Sequence, residues 1–561
     1  MKRLIALVAL IAAGSGGSAF SQSVVNTVHN LSVSGPGTVR AVSETEVCLF
    51  CHTPHQSKPA SPLWNRQDPG VTYVLYNSST AQAMTGQPDG SSILCLSCHD
   101  GTIALGNVLN RTADILMTGG ITRMPPGNKN LTTDLSDDHP VSFLYNSALA
   151  ASDGQLKDPS EVLFPVTLEN GRLQCTSCHD PHRDIYGSFL VVSNQFSGLC
   201  SKCHERDYWA PSAHNTSTKT WNGAGADPWP HTSFTTVTEN GCENCHDPHN
   251  AQGKYRLLDN LAEENNCLSC HDGNVASTNI SSELVKPYIH NVAGYTLVHD
   301  ANENELVTTR HVECVDCHNS HAVNNITATA PAANGFLLGA GGINQSGNPV
   351  NPVAYQYEVC YRCHSDSPDK PASLTLRQIV QNNVRLEFDP SSPSYHPVAA
   401  AGKNSYCPSL ISPSWTVTSF VYCTDCHAGN GAGATSGPHG SIYPGILKLR
   451  YDKADNTPES ASAYELCYSC HSRTSILSDV SFGEHRRHIV EENTPCNACH
   501  DPHGISSTQG NTTNNSHLIN FDRSIVSPTG SGNLRYVSTG TGQGYCQLSC
   551  HGKVHTWAMT Y

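Results

Sequence analysis

The chain is 561 residues long, 38% hydrophobic and 14% charged, with 44 Gly, 33 Pro and a formal charge of −15. An acidic balance of that size excludes nucleic acid and anionic lipid as favoured partners. So few hydrophobic side chains would indicate disorder if side chains alone had to make the core.

In chain order, the first element expected is an export signal over 1–21. Lys2 and Arg3 form a basic start, Leu4 to Ala13 an apolar stretch, and Ala19-Phe20-Ser21 a small-residue cleavage site before Gln22. Taking Lys2 and Arg3 from the 32 basic residues leaves 30 against 47 acidic, a balance of −17. No cysteine stands near that site to take a lipid, and no later apolar stretch reaches membrane-spanning length. The mature chain is therefore expected to be soluble and exported, to the periplasm or to the outer surface and extracellular space.

From Cys48 onward, two cysteines are followed at once by a histidine twelve times. Eleven copies read CxxCH. They are Cys48, Cys51, His52; Cys95, Cys98, His99; Cys175, Cys178, His179; Cys200, Cys203, His204; Cys242, Cys245, His246; and Cys267, Cys270, His271. The series continues with Cys314, Cys317, His318; Cys360, Cys363, His364; Cys423, Cys426, His427; Cys467, Cys470, His471; and Cys496, Cys499, His500. The twelfth is stretched to CxxxCH, with Cys546, Cys550 and His551, and together the copies use 24 of the 25 cysteines, leaving Cys407.

C-x-x-C-H is the signature of c-type haem attachment. Residues i, i+3 and i+4 of a helical turn share a face, so two thiols can reach the vinyl groups on one porphyrin edge while the next imidazole lies under the iron. Zinc ribbons also pair cysteines, and exported chains carry disulfides, but neither needs a histidine after every second cysteine. Twelve covalent haem c groups are expected. About 540 mature residues then give each macrocycle roughly 45, and its flat apolar faces replace the missing side-chain core.

Between motifs the regular structure is sparse. The pattern predicts a short strand over Val71–Tyr76, hairpin turns at Asn170-Gly171 and Asn240-Gly241, and a helix over Thr375–Phe388 with Leu376, Ile379, Val380 and Val384 on one face. First cysteines only 25, 25 and 29 residues apart, at 175 to 200, 242 to 267 and 467 to 496, suggest tight pairs of sites. The expected fold is mostly loop, with short α-helices and few β-hairpins organised around a chain of closely packed haems. Its expected division is three tetrahaem blocks, 22–210, 211–375 and 376–561.

Thirty histidines less the twelve in the motifs leave 18 for twelve second axial positions, whereas only four of the 5 methionines follow the signal, so bis-histidine ligation is expected throughout. Five sites extend to CHxxH, ending in His55, His182, His249, His321 and His503. Such a residue is separated by its own porphyrin from the far side of its own iron, so it should serve a neighbour. Position favours His29, His55, His139 and His182 in the first block, and His231, His249, His311 and His321 in the second, with His214, His290 and His299 as rivals. In the third it favours His439, His488, His503 and His555, with His396, His485 and His517 as rivals.

The segments CLFCHTPH, CLSCHDGT, DLSDDHPV, CTSCHDPH and the terminal CxxxCHGxxH resemble the doubled-CxxCH multihaem cytochromes of metal-reducing bacteria, across most of the mature chain. The first block resembles tetrahaem cytochromes that polymerise into extracellular conducting filaments, which implies distal-ligand roles for His29, His55, His139 and His182. Eight further motifs follow that block here. The resemblance implies an electron-transfer conduit, not an enzyme, that serves partner cytochromes or extracellular acceptors such as metal oxides. A multihaem oxidoreductase acting on a small nitrogen substrate would need one iron with an open face, and no CxxCK motif occurs. A homopolymer with His29 reaching into an adjacent subunit is the third reading. Cys407 is expected to be an inert thiol.

Overall fold

The computed structural model describes residues 23–58, 63–295, 300, 303–304, 307 and 311–559. The expected export signal and His299 lie outside the described residues. Most of the described chain is loop, turn and single-turn helix, with three helices of nine or ten residues, α1 (Gly90–His99), α2 (Glu263–His271) and α3 (Gln356–His364). Each ends on a motif histidine. The start of α3 is fixed by the Glu358 carboxylate, which accepts the N–H groups of Ala354 and Tyr355 at 2.8 and 3.0 Å.

The sheets are small. β1 (Val74–Leu75) pairs in parallel with β2 (Asp134–Leu135), so only two residues of the stretch expected to form a strand do so. The largest sheet is C-terminal and joins β3 (Val526–Ser527), β4 (Arg535–Gly540), β5 (Gln543–Cys550) and β6 (Lys553–His555), all antiparallel to β5. Its register sets Tyr536 opposite Cys546, Leu548 opposite His555 and Cys550 opposite Lys553.

Two local expectations change. Asn170-Gly171 does form a tight turn, with positive φ at both residues and reciprocal 3.0 Å bonds between Glu169 and Arg172. Asn240-Gly241 instead ends a helical turn over Val237–Asn240, because the buried Asn240 amide donates to the Thr236 carbonyl and accepts from Thr232. The helix expected over Thr375–Phe388 shrinks to Val384–Glu387. The preceding residues are held extended against a distant segment: buried Arg377 donates to the Asn497 and Asn520 carbonyls, and the Gln378 N–H donates to the Phe521 carbonyl. Leu376 and Val380 consequently face solvent.

No single hydrophobic core organises the described residues. Small separate clusters form instead, such as Ala41, Phe50, Leu105 and Met117 near the first two motifs, and Ile343, Tyr357, Tyr361, Phe388, Tyr395 and Val398 around α3. Polar anchors tie loops between them. The fully buried Arg66 guanidinium donates to the carbonyls of Ser97, Ala104, Leu105 and Asn107 at 2.9–3.1 Å, binding the loop after the first motif to the end of α1. A chain this poor in hydrophobic contact leaves its motif residues as the elements that everything else surrounds.

Candidate haem sites

Eleven motifs share one backbone geometry. In eight, the histidine N–H donates back to the carbonyl of the first cysteine at 2.8–3.1 Å, closing one helical turn. In the other three, the motif is the last turn of α1, α2 or α3. This is the turn that sets two thiols and an imidazole on one face. The twelfth motif departs from it, because Cys546 and Cys550 lie in strand β5.

The histidine rings meet in pairs. His52 faces His182, His99 faces His29, and His179 faces His249, each with ring centroids 6.2 Å apart. His204 faces His139 at 6.3 Å, and His246–His321, His271–His214 and His318–His439 all stand at 6.1 Å. His364–His290 and His471–His396 stand at 6.4 Å, His427–His503 at 6.0 Å, and His500–His485 at 6.3 Å. A twelfth couple, His488–His555, stands at 6.0 Å without the histidine of the twelfth motif. Two imidazoles bound on opposite sides of one iron, with metal–nitrogen bonds near 2.0–2.1 Å, have ring centroids about 6.3 Å apart. Imidazoles in van der Waals contact would be closer, so the donor set fits a bis-histidine iron between each pair.

The rings are also oriented. His29, His99, His139, His179, His214 and His246 donate Nδ1–H to the carbonyls of Pro181, Lys129, Pro140, Ser188, Ser320 and Arg256 at 2.7–3.0 Å. His318, His427, His488 and His500 do the same to Phe336, Gly445, Glu484 and His517, and His396 to Pro502. Tying Nδ1 fixes the tautomer in which Nε2 carries the lone pair a metal requires. Two rings use buried carboxylates instead: His249 Nδ1 lies 3.0 Å from Asp138, and His503 Nδ1 lies 3.0 Å from Glu387.

Burial keeps most of these imidazoles neutral. Desolvation pushes His204, His321 and His485 down to about 3, and His271, His427, His439, His471 and His500 to about 4. His249 and His503 are desolvated too, but the hydrogen bond and charge of Asp138 and Glu387 outweigh burial and raise them.

The motifs touch in chain order. First-cysteine thiols lie close to one another in five couples: Cys95–Cys175, Cys200–Cys242, Cys267–Cys314, Cys360–Cys423 and Cys467–Cys496. Second cysteines approach closely enough to interact electrostatically in the alternate steps, Cys51–Cys98, Cys178–Cys203, Cys245–Cys270, Cys317–Cys363, Cys426–Cys470 and Cys499–Cys550. Every motif therefore lies near the next in the chain. The three short gaps do not single out special pairs, since two of them join motifs through second cysteines and one through first cysteines.

Residues 234–390 match the profile of outer membrane cytochrome MtrC/MtrF-like domains II/IV, and residues 168–208 and 418–475 match the doubled CXXCH motif profile. The C-type cytochrome OmcS of Geobacter sulfurreducens is 23% identical over an alignment of 428 positions that takes in 57% of this chain and 92% of that protein. The chain is a multihaem c-type cytochrome. When bound, haem supplies one-electron redox chemistry, and the residues of this cytochrome that would hold it are the motif thiols and the facing imidazoles.

The cytochrome brings together many of the expected second ligands and passes over others. His29, His139, His182, His249, His321, His439 and His503 each face a motif histidine, and none of the CHxxH residues among them faces its own motif. His55 and His231 are exposed on the surface. His311 stacks on Tyr295 at 4.3 Å, with Nε2 3.2 Å from Glu303. Opposite motif histidines stand the rivals His214, His290, His396 and His485, while His517 contributes only its carbonyl. His551 places Nε2 2.8 Å from Asp455. Cys407 is half-buried, its sulfur 3.6 Å from the Ser409 hydroxyl that also meets His471 Nδ1.

Among the described residues, no helix is long and apolar enough to cross a membrane.

Proposed function

We propose that the protein is an exported dodecahaem conduit that carries electrons in single file along the sequence order of its motifs, toward a partner cytochrome or an extracellular acceptor. The observation that carries this reading is the conjunction of twelve histidine couples at 6.0–6.4 Å with thiol contacts linking each motif to the next. The two thiols of each CxxCH motif would hold a haem by addition across its vinyl groups, which needs no leaving group. The ligand pairs are the facing couples, so His214, His290, His396 and His485 take the four places expected of His55, His231, His311 and His551. The His179–His249 and His318–His439 couples straddle the boundaries at 210 and 375, and the three blocks act as one array.

The chain's own groups hold most of the imidazoles neutral and aimed, exclude water from them, and set the relative potentials through Asp138 and Glu387. Irons closed by two imidazoles leave no position for substrate, which favours transfer over catalysis. The outer membrane cytochrome profile and the exported signature support a station at the cell surface.

The test is the fully loaded protein, reduced and exposed to carbon monoxide. An unshifted low-spin spectrum together with rapid reduction of a ferric chelate is expected. A haem that binds carbon monoxide stoichiometrically and turns over a small nitrogen compound would establish an enzyme instead.

A further inference from the structure

The twelfth site breaks the rule of the other eleven in three linked ways. Its cysteines lie in strand β5, where side chains alternate between faces, so Cys546, Leu548 and Cys550 share one face, but four residues of strand set the two cysteine backbones about 13 Å apart instead of one helical turn. That face is inward: Cys546 and Cys550 pack against the cluster of Ala498, Phe521, Val526, Tyr536 and Leu548. The residue after Cys550 starts on the opposite side, and His551 takes positive φ in the turn between β5 and β6. Its Nε2, the nitrogen the other sites direct at iron, meets the Asp455 carboxylate at 2.8 Å.

The hairpin returns a different histidine to the thiol face. Residues directly opposite in an antiparallel pair project to the same side, and His555 is opposite Leu548. Its ring is buried and stands 6.0 Å from that of His488, the planes 29° apart. His488 comes from a π-helical turn over Arg487–Glu491 and donates Nδ1–H to the Glu484 carbonyl at 2.7 Å, as the other ligand candidates do to theirs.

We infer that the terminal haem takes His555 and His488 as its axial pair and a single thioether from the Cys546–Cys550 face, and that His551 is a surface partner of Asp455, not a ligand of iron. This rests on the haem reading of the terminal motif. It inverts the usual local rule, because a strand cannot bring the residue after the second cysteine under the same macrocycle, whereas a hairpin partner can.

The experiment uses the full-length, haem-loaded protein with His555→Gly and His555→Met. Intact mass first counts the haems. With twelve present, H555G is expected to convert one haem in twelve to a high-spin, carbon-monoxide-binding form that added imidazole returns to low spin. H555M is expected to move one of twelve potentials upward, since Met/His ligation lies above bis-His. Twelve low-spin haems with unchanged potentials in both variants would overturn the assignment and restore His551. A wild-type mass showing eleven haems would remove the terminal site altogether, while leaving an eleven-haem conduit intact.

Discussion

A histidine in this chain is defined by which nitrogen is already engaged. Where Nδ1 donates to a carbonyl, Nε2 is left to carry the lone pair and the ring stands opposite a second imidazole; where Nε2 meets Asp455, as in His551, the nitrogen a metal would need is already engaged. The motif pattern was legible from spacing alone, and so was the rule that a CHxxH histidine faces a motif other than its own. The exception is instructive. His182, His249 and His321 face the histidines two motifs earlier, as His503 does, but the first motif has no predecessor, so His55 has nothing to face. His214, His290, His396 and His485 left no local signal, because their partners come from tertiary contact. Replacing His182 with Met should therefore raise the potential of the haem carried by Cys48 and Cys51 while leaving that on Cys175 and Cys178 unmoved, as read by resolved potentiometry. Asp138→Asn and Glu387→Gln should each raise one potential by tens of millivolts, about 59 mV for a tenfold loss of preference for the ferric form, because a carboxylate on Nδ1 strengthens the ligand. Unchanged potentials would mean that neither carboxylate acts on a ligand.

At the scale of elements, one helical turn serves eleven sites and a hairpin the twelfth. Sequence spacing specified the turns well because C-x-x-C-H is itself a local pattern, and it specified the Asn170-Gly171 turn for the same reason. The helix expected over Thr375–Phe388 failed because Arg377 and Gln378 gain long-range hydrogen bonds that the helical periodicity of Leu376, Ile379 and Val380 could not reveal. Buried cations do much of this fastening. Arg66→Met should leave four carbonyls in the second motif and the loop after it without their donor and cost about 3 kcal/mol locally, in line with hydrogen bonds from a buried charge. Hydrogen exchange on the loaded protein should show faster exchange over 97–107 than over the C-terminal sheet; equal protection would show that Arg66 fastens nothing.

For the whole molecule, the composition already implied that haem must replace a side-chain core, and the scattered small clusters agree with that reading. What composition could not give is order in space, which the thiol contacts supply step by step. Acid should dismantle the array. Folding holds His204, His321 and His485 down to about 3 and His271, His427, His439, His471 and His500 to about 4, whereas in the unfolded chain they titrate near 6.5. The unfolded chain therefore binds more protons between those values, so stability is full above about pH 6.5 and drains as pH falls toward 4 and 3. With iron at Nε2 competing with the proton, low-spin absorbance followed against pH should persist through the upper part of that window and be lost toward its lower end at about 3; loss already near pH 6.5 would contradict the burial argument. The most direct measurement is an experimental density map of the haem-loaded protein. Twelve macrocycles in the order of their motifs, each between the two imidazoles named above, is the result expected; a haem seated out of chain order, or an iron held by a single imidazole, would contradict the single-file account.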